Sequence, residues 1–86
     1  MNPTLNAQYA GKTAIVTKGC AAKRIQKGDK ITNIQVYYVM GTGFRVHFNV
    51  QGLGPVIMWA ASAARLKNTV SLNTGDPTKR VVFTLV

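Results

Sequence analysis

Acidic side chains are nearly absent from this chain: two aspartates, Asp29 and Asp76, face eleven Lys or Arg, for a formal net charge of +9. One histidine, one cysteine and one tryptophan complete a short list of scarce groups. A lone Cys20 has no partner for an internal disulfide, so the fold must hold without that staple, as suits a reducing compartment. His47, Cys20 and two aspartates assemble neither a nucleophile–base pair nor a metal-ligand cluster. Both aspartates sit beside Gly or Pro, where turn chemistry explains them. The expectation is a protein that is not an enzyme, with no catalytic residues, no metal site and no cofactor. "AGKT" at Ala10–Thr13 echoes the end of a phosphate-binding loop, but the first glycine of that motif would fall at Asn6 and a strand follows instead of a helix.

Long apolar runs are missing too. The longest, Val56 to Ala61, falls far short of the roughly 18 residues a membrane span needs. The first residues, "MNPTLNAQYAG", lack the basic and apolar regions of a secretory signal. These readings predict a cytoplasmic protein with no membrane association.

What is present is enough for one small domain. Eighty-six residues, 47% of them apolar, lie near the lower limit for an independent core. Residues 1–11 read as an irregular N-terminal arm and residues 12–86 as a single β domain. "KTAIVTK" (Lys12–Lys18) is a short β-branched strand between glycines. "GCAAKRIQKG" (Gly19–Gly28) has no two-residue period and reads as an excursion loop, with room for one helical turn at Ala21–Arg24. Lys30–Met40 is a long strand whose parity breaks near Thr32, so either a bulge sits there or the strand proper starts after it. "FRVHFNV" (Phe44–Val50) alternates cleanly, with Phe44, Val46, Phe48 and Val50 inward and Arg45, His47 and Asn49 outward. Pro55–Ala61 is a fourth strand. Ser62–Asn68 suits a helical turn capped by Ser62; a full helix over Met58–Lys67 competes, because "MWAASAARLK" is rich in helix formers. Thr69–Asn73 and "KRVVFTLV" supply the last strands, and "TGDP" between them is a turn. The expected core is Ile15, Ile34, Val36, Phe44, Val46, Phe48, Val56, Met58, Leu72, Val81 and Phe83. The terminal strand looks apolar on both sides, so it reads as an edge through which two copies could pair as a homo-oligomer.

"IQKGDKITNI" resembles the segment that closes the long first loop of Src-homology-3-like small β-barrels, where a Gly-Asp pair forms the diverging turn into the second strand. The order from Lys12 to Leu72 is similar to theirs: strand, charged loop, three strands joined by tight turns, one helical turn, short strand. The resemblance implies an all-β fold, a small five- to six-stranded antiparallel barrel with one short helical turn. It does not extend to the peptide-binding members. Their "ALYDY"-like stretch and tryptophan pair are replaced by "TAIVTKG" and "GFRVHF", and their typically acidic loop is basic here.

Five of the eleven cations, Lys18, Lys23, Arg24, Lys27 and Lys30, fall between positions 18 and 30. A sequence pI near 10.4 is a footprint of nucleic-acid binding. The expected function is a small basic module that binds DNA or RNA through phosphate-backbone electrostatics, with little sequence readout. Its site residues would be Lys18, Lys23, Arg24, Lys27, Lys30, Tyr37, Arg45, His47, Lys79 and Arg80. Tyr37 is included as an aromatic on which a base can stack. The alternative is a protein-interaction or inhibitory module that docks on an acidic partner, of the kind a virus or mobile element carries.

Overall fold

Six antiparallel strands, joined in chain order, close on themselves in the computed structural model, which describes residues 7–41, 43–62, 65–73 and 79–86. They are β1 (Ala14–Lys18), β2 (Lys30–Val39), β3 (Gly43–Val50), β4 (Gly54–Ala60), β5 (Thr69–Asn73) and β6 (Arg80–Leu85). Each pairs with its sequence neighbour, and β6 pairs with β1 to complete a closed barrel. The terminal strand is therefore no edge: it lies between β5 and β1, and both its ladders are used. That corrects the expected route to self-association. Val82, on the outward parity, is half-buried beside β1, opposite Lys18.

The clearest pattern in the sequence gives the clearest strand. In β3 every second residue is buried, from Phe44 through Val46 and Phe48 to Val50. In β2 the bulge falls where the parity broke, with a register shift between Thr32 and Gln35. Asn33 takes the left-handed conformation there, with φ of 55°, which Asn tolerates better than most side chains. The bulge lets Ile31, Ile34 and Val36 all face the core. In β1 the expected parity was inverted: Ala14 and Val16 are buried and Ile15 is only half-buried. Val56 packs against the core from a partly buried position.

The charged excursion is more ordered than a surface loop. Cys20 and Ile25 form an antiparallel bridge with Cys20 N donating to Ile25 O at 2.8 Å and Ile25 N to Cys20 O at 3.1 Å. Both side chains are buried. A 3-10 turn at Ala21–Lys23 spans the tip, and Arg24 closes it in the left-handed region, with φ of 59°. Gly19 is required at the neck, because a Cβ there would lie 2.3 Å from Ile25 O.

Where a helical turn was expected after β4, Arg65 N donates to Ser62 O at 3.1 Å, and residues 63–64 lie outside the described residues. A helix over Met58–Lys67 is not formed, since β4 runs to Ala60 and Leu66 bridges to Val70. The "TGDP" turn with Asp76, and residues 1–6 of the arm, also lie outside the described residues. Residues 7–9 make a helical turn that inserts Tyr9 into the core. Its hydroxyl donates to Lys67 O at 2.8 Å, and burial pushes its pKa up to about 12.

Candidate functional site

Two surfaces collect the expected site residues. The first is built by the β1–β6 pairing. Lys18 ends β1 opposite Val82, which brings it beside the start of β6. Lys18, Lys79 and Arg80 line one open recess of about 400 Å³, floored by the neck of the excursion from Gly19 to Ala22. Asp29 is the sole Asp or Glu side chain among the described residues. It is not in this recess, and its Oδ2 accepts the Gln26 N–H at 2.9 Å. Three cations of one sign around a small-residue floor raise the local positive potential.

Ala22 links this recess to a second one, lined by Lys23 and Arg24 on the excursion and by Leu53, Pro55 and Ile57 on the β3–β4 hairpin. Five of the expected cations thus surround one 3-10 turn. Lys27 and Lys30 line neither recess: Lys27 lies in the turn at residues 27–28, and Lys30 begins β2 opposite Ile15.

The second surface is a row across the outer face of the barrel. The register aligns Tyr37 with Arg45, Arg45 with Trp59, Trp59 with Asn73, and Asn73 with Arg80. One cross-strand line therefore runs over five strands as aromatic, cation, aromatic, amide, cation, and its last member also lines the Lys18–Lys79 recess. The Arg45 guanidinium carbon lies over the Tyr37 ring, 5.7 Å from its centroid. The His47 ring meets Tyr37 edge-on at 5.0 Å, and the Tyr37 hydroxyl donates to Gln35 Oε1 at 2.8 Å. Arg80 donates to Ser71 Oγ at 3.1 Å.

Two nitrogens in this row and beside it, Arg45 Nε and His47 Nε2, are shielded from solvent and make no hydrogen bond among the described residues. Trp59, Asn73 and Ile57 were absent from the sequence-based site. Parity alone held the signal for Trp59: with Val56 and Met58 assigned inward, its neighbour had to face out.

Desolvation lowers the His47 pKa below its ordinary 6.5, and the Arg45 charge lowers it further. The folded state thus favours neutral imidazole, while the unfolded chain takes up a proton near pH 6.5. This contribution to stability is complete above about pH 6.5 and is lost as pH falls toward the lower folded value. Thermal midpoints followed from about pH 8 to about pH 5 should decline below pH 6.5, and His47→Gln should flatten the decline. With one histidine in the chain, a parent profile that is flat over this window would contradict the assignment.

Among the described residues no group of three or more His, Cys, Asp or Glu could hold a metal ion, and no helix is long and apolar enough to cross a membrane. Compared with known proteins, the chain matches no family model, no curated protein and no solved structure.

Proposed function

We propose that this protein is a small nucleic-acid-binding module that holds the phosphate backbone by electrostatics, with little sequence readout. The observation that carries the reading is the meeting of Lys18, Lys79 and Arg80 around one recess, from segments some sixty residues apart in the chain. Cations that merely solubilise a surface gain nothing from convergence, and mutual repulsion opposes it. A polyanion offsets that repulsion and releases its own counterions on binding. Lys23 and Arg24, across the 3-10 turn, extend the footprint beyond a single phosphate. The resemblance to Src-homology-3-like barrels is supported by the order of β1 to β5 and by the Gly28–Asp29 turn that ends the excursion, with φ of 96° at Gly28.

A second reading has one observation in its favour. Leu53 and Ile57 are exposed apolar side chains beside Lys23 and Arg24, a mixture that suits an acidic protein partner. Binding two unrelated oligonucleotides of equal length, and poly-glutamate of equal charge, separates the two. The nucleic-acid reading expects micromolar affinity for both oligonucleotides within a few-fold of each other, and markedly weaker binding of poly-glutamate. Equal or tighter binding of poly-glutamate favours the protein partner.

A further inference from the structure

We infer that the nucleic acid bound is single-stranded, and that a short stretch of it lies over the β2–β4 part of the outer row, with bases stacked on Tyr37 and Trp59 and a phosphate held by Arg45. This rests on the nucleic-acid reading and narrows it. The row is the reason. Adjacent strands in a sheet are about 4.7–4.9 Å apart, so Tyr37 and Trp59, two strands apart, are separated by roughly 10 Å. Arg45 lies between them. Ring, cation, ring is an alternation that matches two base faces with a phosphate between them.

Duplex cannot use it. Its bases are stacked on one another and show only their edges in the grooves, and it resists bending over about 150 base pairs. A single strand can splay its bases onto aromatic rings and guanidinium planes. Every base has a π-face, so such contacts tolerate any sequence.

The remaining polar groups fit the same occupant. Gln35, aligned with His47 in the next rung, adds an amide. The outer face of a barrel is convex, so only a short stretch of the strand can touch the row at once.

Trp59 is the one tryptophan in the chain, so its emission reports the event directly. The full chain is titrated with a single-stranded oligonucleotide of about 12 residues and with a blunt duplex of the same sequence. Saturation by the single strand should quench Trp59 and shift its emission, and the duplex should bind at least about 10-fold more weakly. Tyr37→Leu should weaken single-strand binding by roughly 5- to 100-fold, the range expected for one stacked base. The variant's far-ultraviolet dichroism and melting curve check that it folds. If it does not fold, the parent's emission still decides the question. Trp59 emission unchanged at saturation, or duplex binding equal to single strand, overturns this inference and leaves the phosphate-backbone reading standing. Failure of both nucleic acids to bind overturns the reading beneath it as well.

Discussion

Phe48→Ala should cost about 3–5 kcal/mol and leave the domain largely unfolded at ordinary temperature. The ring is 1% exposed and meets Phe83 edge-to-face, with centroids 5.4 Å apart. Phe48 comes from β3 and Phe83 from β6, which stand opposite one another in the six-strand ring. Their contact therefore crosses the barrel interior instead of lining one wall. Truncation leaves a cavity at the centre, where hydrogen-bonded strands on every side limit collapse. A domain of this size has a total stability of only about 5–10 kcal/mol. Ile57→Ala supplies the contrast. That side chain is on the neighbouring strand but faces outward and is 48% exposed, so its loss should stay within about 0.5 kcal/mol. Urea denaturation measures both, and a Phe48→Ala midpoint equal to the parent's would remove Phe48 from the core.

The second large effect is on binding. Replacing Lys18, Lys79 and Arg80 together with glutamine should weaken affinity for nucleic acid by about 10- to 100-fold near physiological salt. The logarithmic salt slope should become shallower by about 2 to 3, since each lost phosphate contact removes roughly 0.9. Stability should change by no more than about 1 kcal/mol, because relief of charge repulsion offsets the lost Arg80–Ser71 hydrogen bond. The pair Lys27→Gln and Lys30→Gln, which lines neither recess, should show the smaller loss. A triple variant that binds like its parent would show that the convergence of these cations serves something else.

How much of this was legible beforehand differs between elements, and the reasons are physical. Phe44–Val50 could be read outright, because a strand with one buried face writes its orientation at period two. The break in β2 was visible, since Ile31 and Ile34 cannot share a face in an unbroken strand, but only the register with β3 distinguishes a bulge from a later strand start. In β1 the alternation carries no information: Ala14, Ile15 and Val16 are all apolar, and only pairing with β6 decides that Ile15 faces away from the core. Cys20 and Ile25 gave no periodic signal, because the bridge that buries them spans a four-residue turn. Tyr9 gave none either, since a plug is recognised only by the hole it fills.

The candidate site divides the same way. Charge density around the excursion was apparent from composition, and so were the outward Arg45 and His47. That Lys18 should meet Lys79 and Arg80 depends on a pairing between the first strand and the last, across more than sixty residues, which no local pattern encodes. The row through Trp59 was half-readable: parity turns that ring outward, but its alignment with Arg45 and Asn73 follows from the register of two separate ladders.

The proposed activity predicts one quantity above all others, the dependence of affinity on salt. Anisotropy of a labelled oligonucleotide, titrated with this protein from about 50 to about 200 mM salt, gives it directly. Engagement of Lys18, Lys79, Arg80 and their neighbours should produce a log–log slope of about −3 or steeper. A slope near zero, or no binding at the lowest salt, would mean that these cations do not serve to hold phosphates.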